Sequence, residues 1–246
     1  MALRIGIAGI SGRMGQLLAE EVAAAGAELA GGITRAGDAA ALFAASDVVI
    51  DFTHAGTAER HAALAAEHRK PFILGTSGLS LAQEAAVAEA ARHVPVVYAA
   101  NFSPGVAMLL ALAERMSAAL PPEQYDAEIV EMHHRQKVDA PSGTAIALGR
   151  AVARGRGKTL EEVGMESGRD GHTGPRGTGP IGFAALRGGQ VVGEHTLLFA
   201  AGSEHIALTH RSFDRRVYAT GAVRAAHWAA AQAPGLYDMK HVIGMV

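Results

Sequence analysis

Residues 3–15 of the chain read LRIGIAGISGRMG, an apolar run followed by glycines at every third position, Gly9, Gly12 and Gly15. This pattern predicts a β-strand, a tight turn and the start of an α-helix. The first turn of a helix offers unpaired backbone N–H groups and a positive dipole end to a pyrophosphate, and glycines let that group approach because they carry no side chain. The segment therefore predicts a dinucleotide site in a Rossmann-type fold, with an ordinary tight turn as the alternative interpretation.

The residues that follow alternate short apolar runs with longer stretches rich in Ala, Leu and Glu. Strands are predicted at residues 3–8, 28–33, 48–52, 72–75 and 94–99, and helices at residues 13–25, 58–68 and 81–93. Such alternation is typical of a parallel sheet whose strands are connected by crossover helices.

The pattern changes after Pro104. A helix is predicted at residues 105–120, a strand at 127–132, a second helix after Pro141, a long loop at 164–182, strands at 181–186, 190–200 and 205–210, and a last helix at 218–232. Turns at Gly188-Gly189 and Gly202-Ser203 would join the last three strands into an antiparallel sheet. The last helix is expected to pack back on the first domain.

These patterns together predict an α/β protein with a Rossmann-type doubly wound parallel sheet and a second α+β domain built on a mixed or antiparallel sheet. The dinucleotide-binding domain would comprise residues 1–104 and 215–246, and the substrate-binding domain residues 105–214.

The composition excludes several classes of function. Apolar residues make up 49% of the 246 residues, charged residues 19%, and the formal net charge is -2, so nothing favours a nucleic-acid partner. The chain has no cysteine, which excludes disulfides and thiolate metal sites and fits a cytoplasmic location. No apolar run reaches the ~18 residues that span a bilayer, so we expect no membrane partner.

Arg35 stands near the end of the second predicted strand, where a Rossmann protein usually carries an acid for the adenosine ribose. A guanidinium at this position suits a 2′-phosphate, which predicts a preference for NADPH over NADH. Two further turns, Gly75–Ser77 and Ala99–Phe102, follow the fourth and fifth predicted strands. The carboxyl ends of strands are where doubly wound sheets bind ligands.

A second notable segment, residues 131–145, reads EMHHRQKVDAPSGTA. His133, His134, Arg135 and Lys137 are four potential cations within five residues, and their mutual repulsion is better explained by an anionic ligand than by a role in folding. A helix start near Ser142 would add backbone N–H groups that suit a carboxylate. A solvated basic loop is the alternative. A metal site is not expected, because the two histidines are adjacent and no third ligand has zinc-like spacing.

These segments resemble one family closely, the bacterial 4-hydroxy-tetrahydrodipicolinate (dihydrodipicolinate) reductases of lysine and diaminopimelate biosynthesis. The likeness covers nearly the whole chain and also includes Asp51-Phe52-Thr53, Gly75-Thr76-Ser77-Gly78, Ala99-Ala100-Asn101-Phe102-Ser103, Gly171-His172-Thr173-Gly174, Gly193-Glu194-His195 and Gly221-Ala222-Val223-Arg224. It implies NAD(P)H-dependent reduction of a cyclic dicarboxylate imine, a homotetramer assembled through the sheet of the second domain, and hinged domain closure.

The resemblance also implies roles for individual residues. His133 is the expected acid/base and Lys137 the expected proton donor, whereas His134, Gly143 and Thr144 are expected to bind the substrate carboxylates. The expected cofactor contacts are Gly9, Ile10, Ser11, Gly12, Arg13, Met14, Arg35, Gly75, Thr76, Ser77, Ala99, Ala100, Asn101 and Phe102.

Two other functions are compatible with this fold. One is another two-domain dehydrogenase of amino-acid biosynthesis, of the aspartate or homoserine type, although the His-His-Arg-x-Lys segment is not expected there. The other is a dinucleotide-sensing regulator without catalytic activity, which the retained His133 and Lys137 disfavour.

Overall fold

A computed structural model describes all 246 residues, which divide into two compact units. The first unit comprises Met1–Pro104 and Arg215–Val246, and the second comprises Gly105–Asp214.

The strands, in chain order, are β1 (Arg4–Ala8), β2 (Glu28–Ile33), β3 (Val48–Asp51), β4 (Phe72–Leu74), β5 (Pro95–Tyr98), β6 (Asp126–His133), β7 (Met165–Ser167), β8 (Ile181–Arg187), β9 (Gly193–Ala200), β10 (His205–Ser212) and β11 (Gly235–Tyr237). The helices are α1 (Arg13–Ala24), α2 (Ala39–Ala45), α3 (Ala58–His68), α4 (Leu81–Ala90), α5 (Pro104–Ala119), α6 (Gly143–Gly155), α7 (Leu160–Val163), α8 (Arg216–Ala229) and α9 (Met239–Val242). A 3₁₀ turn spans Ala55–Thr57.

The first unit is built on a six-stranded parallel sheet in the order β11-β5-β4-β3-β1-β2. Every residue of β3 and β4 is buried, which explains why these strands read as continuous apolar runs rather than alternating ones. The predicted doubly wound sheet is thus confirmed. β11, which extends it beyond β5, was not predicted, because three residues are too few for a periodic signal.

Helix α2 occupies a segment in which the sequence patterns predicted no element. Asp38 begins it by accepting a hydrogen bond from the backbone N–H of Ala41 at 3.2 Å, and Leu42 and Phe43 are buried. An Asp before an apolar run is a known helix-start signal, so this helix could have been predicted from the sequence.

Helix α8 packs against α1 in the first unit. A β-carbon at Gly221 would overlap the carbonyl oxygen of Phe102, so only glycine allows this close approach. Arg216 adds ion pairs to Glu20 at 2.6 Å and to Glu21 at 2.9 Å. Arg216 is 43% exposed in both pairs, so solvent screens them and they contribute little, and apolar burial accounts for most of the packing.

The second unit is built on a mixed five-stranded sheet in the order β10-β9-β6-β8-β7. β6 pairs with β9 in antiparallel and with β8 in parallel orientation. The predicted hairpin between β8 and β9 is therefore wrong, since β6 lies between these two strands. Gly188 N–H donates to the His133 carbonyl and Arg135 N–H to the Gly189 carbonyl, so this turn crosses the end of β6.

The predicted loop at residues 164–182 contains the short strand β7, which pairs with β8 at the sheet edge. By contrast, the Gly202-Ser203 turn joins the antiparallel pair β9 and β10 as predicted. One face of this sheet packs on α5 and α6 through buried side chains such as Ile129, Leu148 and Phe199. On the other face, Val130 and Leu186 are 40% and 51% exposed.

Candidate active site

The glycine turn between β1 and α1 has the geometry of a phosphate cradle. A β-carbon at Gly15 would overlap the carbonyl oxygen of Gly9, and Gly9 itself has a φ of 84°. Gly12 is the N-cap of α1 but supplies no side-chain hydrogen bond, and the first turn holds no acidic residue. The N–H groups and the dipole of this helix start are thus available to an anion.

All the residues expected to contact the cofactor follow strands of the first sheet. The turn at Gly9–Met14 follows β1, Arg35 follows β2, Gly75–Ser77 follows β4 and Ala99–Phe102 follows β5. Parallel strands end at the same sheet edge, so the fold brings these four segments to one side. The Thr76 hydroxyl is buried there without a hydrogen-bond partner, although a buried polar group normally has one.

The carboxyl end of β3 is a part of this edge that the predicted site residues did not include. A β-carbon at Gly75 would overlap the ring of Phe52, and one at Gly9 would lie 2.9 Å from the Thr53 methyl. Asp51 fixes this segment: it binds the backbone N–H of Thr53 at 2.8 Å and Nδ1 of the buried His61 at 2.7 Å. Because β3 lies between β1 and β4, the predicted strand at residues 48–52 was the sequence signal that could have identified this segment.

The histidine-rich segment of the second unit begins at the carboxyl end of β6. His133 is the last residue of this strand, is only 9% exposed, and has its Nδ1 2.6 Å from Oε2 of Glu131. An ionised carboxylate can only accept, so Nδ1 carries the proton and Nε2 is an acceptor when the ring is neutral. A β-carbon at Gly193 would lie 3.0 Å from this Nε2, so glycine leaves the atom uncovered.

Glu131 is the centre of a buried hydrogen-bond network. Arg187 donates to both of its carboxylate oxygens at 2.8 and 2.9 Å, and the backbone N–H of Ser142 donates to Oε1 at 3.1 Å. Arg187 also donates to the backbone carbonyl of Asp139 at 2.6 Å. The network therefore ties the loop after β6 to the strand that bears His133.

The environment shifts both pKa values of the Glu131–His133 pair downwards. Burial opposes ionisation of Glu131, but hydrogen bonds from Arg187, His133 and Ser142 outweigh it and hold the pKa of Glu131 below its usual range. Burial lowers the pKa of His133, although its contact with Glu131 acts in the opposite direction. At neutral pH the pair therefore consists of a carboxylate and an uncharged imidazole.

The loop between β6 and α6 carries the remaining predicted site residues. Lys137 Nζ lies 2.8 Å from a carboxylate oxygen of Asp139, and the buried Nδ1 of His134 has no hydrogen-bond partner. Gly143 and Thr144 form the first turn of α6, which Ser142 caps by accepting from Ala145 N–H at 3.2 Å. The structure thus brings His133, His134, Lys137, Gly143 and Thr144 together around the end of one strand.

The positive charge of the predicted cation cluster is partly compensated within the chain. Asp139 pairs with Lys137, and Glu131 contacts His133, which is uncharged at neutral pH. Glu131 and Arg187 were not among the predicted site residues. Arg187 could not have been, since it lies 56 residues away and reaches Glu131 only through the pairing of β8 with β6.

His195 is a further buried residue of this cluster. It is 3% exposed, lies opposite Glu131 in the β6–β9 register, and places Nε2 3.1 Å from the Ser142 hydroxyl. Its ring packs edge-on against that of His133 with 5.1 Å between centroids. Burial lowers its pKa to about 4, and the neighbouring His133 adds to the effect.

This shift predicts a loss of stability in mild acid. A histidine whose folded pKa lies below its unfolded value stabilises the fold fully above pH 6.5, and this contribution is lost as the pH falls towards about 4. We expect the free energy of unfolding to fall by up to ~3 kcal/mol across this window because of His195. Urea titrations of the wild type and the non-titrating His195→Gln variant at matched pH values measure the difference; parallel pH profiles would contradict it.

No group of three or more His, Cys, Asp or Glu side chains is placed to hold a metal ion. None of the helices combines the length and the apolar character that crossing a membrane requires.

Comparison with known families gives two matches that together cover almost all of the chain. A model described as "Dihydrodipicolinate reductase, N-terminus" matches residues 3–102, and one described as "Dihydrodipicolinate reductase, C-terminus" matches residues 105–243. A 4-hydroxy-tetrahydrodipicolinate reductase from Granulibacter bethesdensis is 62% identical over 257 residues, covering 99% of this chain and 98% of the relative. One from Acidiphilium cryptum is 62% identical over 243 residues with the same coverage.

Solved structures show the same fold. A dipicolinate-bound dihydrodipicolinate reductase from Paenisporosarcina sp. TG-14 has a TM-score of 0.76 at 22% identity and covers 97% of this chain and 98% of its own. GenD2 from gentamicin A biosynthesis, solved in complex with NAD, has a TM-score of 0.58 at 13% identity and covers 99% of this chain and 91% of its own.

Proposed function

Because the chain belongs to the dihydrodipicolinate reductase family, we propose that its histidine-rich loop binds and protonates the substrate of a 4-hydroxy-tetrahydrodipicolinate reductase. The enzyme reduces 4-hydroxy-tetrahydrodipicolinate to tetrahydrodipicolinate with NAD(P)H, a step of lysine biosynthesis. Family membership over the full chain favours this function over the aspartate or homoserine dehydrogenases and over a regulator. The cytoplasm, which holds soluble reduced dinucleotide, is the proposed location.

The carboxyl edge of the first sheet fits the dinucleotide. The Gly9 and Gly15 positions exclude side chains, and the start of α1 is left open for the pyrophosphate. The unpaired Thr76 hydroxyl provides a buried hydrogen-bonding group at the same edge, suited to an amide. When bound, the reduced nicotinamide supplies a hydride.

The end of β6 suits a small dicarboxylate, and the unpaired Nδ1 of His134 is the observation that carries this assignment. A buried imidazole nitrogen without a partner is a ready contact for a carboxylate, and the same loop leads into the capped start of α6. The N–H group of Gly143 lies in the first turn of α6, so the helix has no intrinsic partner for it, and Thr144 lies beside it in the same turn. The dipicolinate in the Paenisporosarcina relative is a ligand of the same chemistry.

Lys137 and His133 provide the groups that handle protons. The substrate loses water to form a conjugated imine, and its reduction leaves an enamine that must take up one proton. We assign this donation to the ammonium of Lys137, which is 22% exposed and fixed by Asp139. His133, held by Glu131, presents Nε2 as the group that accepts a proton or donates one after protonation.

A spectrophotometric assay tests this function. Substrate is generated freshly by the preceding synthase, and loss of absorbance from the reduced nicotinamide is followed after addition of the chain. The proposal requires substrate-dependent oxidation of NADPH or NADH. Oxidation with aspartate semialdehyde alone, or none with any of these substrates, would favour one of the two alternatives.

The cofactor preference is a separate prediction. Arg35 is exposed directly after β2, whereas Asp38 is already engaged as the cap of α2, so Arg35 is the charged group available to a 2′-phosphate. We expect Arg35→Ala to lower kcat/KM for NADPH by ~10- to 100-fold, the usual effect of losing a charge-assisted hydrogen bond, with little change for NADH. Measuring kcat/KM with NADPH and with NADH for the wild type and Arg35→Ala tests this preference. An equal loss for the two cofactors would refute the role of Arg35.

We propose a homotetramer assembled through the open face of the second sheet. Val130 and Leu186 expose apolar side chains there, on a face that no helix of the second unit covers. Light scattering after gel filtration is expected to give four times the 25.3 kDa chain mass. A Val130→Glu/Leu186→Glu double variant should dissociate, because four copies would bury eight unpaired charges. A monomeric wild type, or an intact tetramer of the double variant, would contradict the assignment.

A further inference from the structure

We propose that His195 is a positioning residue that holds the carboxylate-binding start of α6 in its active form. The inference rests on the proposed function, because it concerns how the chain prepares the site assigned to the substrate. His195 lies in β9, outside the histidine-rich loop, and none of the roles described above uses it.

The hydrogen bonds of Ser142 determine which ring nitrogen of His195 carries the proton. Its hydroxyl oxygen accepts the backbone N–H of Ala145 and lies 3.1 Å from Nε2 of His195. If the hydroxyl donates to Nε2, only Nδ1–H of His195 lacks a partner. The reverse arrangement would leave both the hydroxyl proton and the Nδ1 lone pair unsatisfied in a buried site. The first arrangement satisfies one more group, so His195 acts as the acceptor.

This acceptor role fixes the orientation of the helix cap. With its proton directed to His195, the Ser142 hydroxyl turns a lone pair towards Ala145 N–H, which satisfies the third N–H of the helix and leaves that of Gly143 for a ligand. Without the acceptor, the hydroxyl would be free to rotate and the cap would loosen. The expected consequence is weaker binding of the substrate carboxylate.

The surroundings of His195 keep it an uncharged acceptor. The side chains that face it are Ser142, His133, Glu131 across the β6–β9 register and His210 across the β9–β10 register. Lys137 contributes a weaker electrostatic repulsion. Burial among these groups holds the pKa of His195 at about 4, so the ring remains neutral where the enzyme works.

The test uses kinetics of the full-length enzyme. His195→Phe keeps an aromatic ring but has no acceptor, and we expect its KM for the dicarboxylate substrate to rise about tenfold, the scale of a lost helix cap, while kcat and the KM for NADPH change little. His195→Gln offers an amide oxygen at similar reach and should restore most of the affinity. His205→Phe, which alters an exposed histidine on β10, is the matched control and should behave as wild type.

A double-mutant cycle and a spectroscopic measurement complete the test. Ser142→Ala should raise KM by a similar factor, and combining it with His195→Phe should add little, because both changes remove one interaction. In ¹⁵N spectra of the histidine-labelled protein, Nδ1 of His195 should be protonated and Nε2 should be a hydrogen-bonded acceptor, which Ser142→Ala alters. This measurement decides the matter even if His195→Phe fails to fold.

Additive effects, an unchanged KM in a folded His195→Phe variant, or a protonated Nε2 would overturn the inference. These outcomes differ from a failure of the proposed function, in which the wild type itself would not oxidise NADPH with the substrate.

Discussion

Replacing Lys137 by alanine is expected to lower kcat by ~10²-fold or more, the usual scale for losing a general acid. Lys137 is the ammonium group of the loop that carries the predicted substrate contacts, and Asp139 fixes it at 2.8 Å. The Lys137 side chain is 22% exposed and Asp139 is 54% exposed, so their ion pair contributes little to stability. Folding should therefore be little affected.

Steady-state kinetics and circular dichroism of the Lys137→Ala variant measure the two quantities together. Lys158→Ala removes an exposed lysine from the same unit and serves as the matched control, with kcat expected to equal that of the wild type. Unchanged turnover in a folded Lys137→Ala enzyme would remove this residue from the mechanism.

Glu131→Gln is expected to have the second large effect, because it changes both activity and stability. A neutral amide cannot balance Arg187 and no longer requires His133 to carry its proton on Nδ1, so the orientation and tautomer of the ring are lost. We expect kcat to fall by ~10²-fold and the free energy of unfolding by ~3 kcal/mol, the scale of breaking a buried ion pair.

The pH dependence identifies the cause of this stability loss. Since the folded pKa of Glu131 is lowered, its contribution is complete above the usual glutamate pKa of 4.5 and disappears as the pH falls through the folded value. The wild type and Glu131→Gln should therefore differ most in urea titrations at neutral pH and converge in acid. Glu166→Gln, which alters a partly exposed carboxylate paired with Arg169, is the control and should change neither property. A fully active Glu131→Gln enzyme would contradict the proposed orientation of His133.

The sequence predicted those parts of the fold for which local signals agree. In the first unit, the glycine turn at Gly9–Gly15, the apolar runs of β3 and β4 and the length of α3 all indicate the same alternating architecture. The short strands β7 and β11 were not predicted, because three residues are too few to show a periodicity. The end of α4 at Ala90 rather than His93 is a boundary error of the ordinary kind.

Strand pairing in the second unit could not be read from local patterns. Gly188 and Gly189 look like a hairpin turn, but their backbone groups bond to His133 and Arg135, and β6 separates the strands on either side. Pairing between strands distant in sequence depends on the packing of the whole sheet, which turn chemistry does not encode.

In the candidate site, too, the sequence showed the residues of one local segment but not the contacts between distant segments. The site residues between His133 and Thr144 could be identified from the sequence because they lie in one continuous segment. Glu131 belongs to the same segment, but its role could not be predicted, because it depends on the contact with Arg187 and on burial in the folded chain. His195 likewise acquires a role only because β9 pairs with β6.

A crystal structure of the enzyme with NADPH and pyridine-2,6-dicarboxylate bound would show whether the loop after β6 holds the substrate. We expect one carboxylate at the start of α6, on Gly143 and Thr144, with His134 in contact and Lys137 directed at the ring. We also expect the pyrophosphate on the glycine turn at Gly9–Met14. A dicarboxylate bound elsewhere, or one on this loop but out of reach of the nicotinamide, would contradict these expectations.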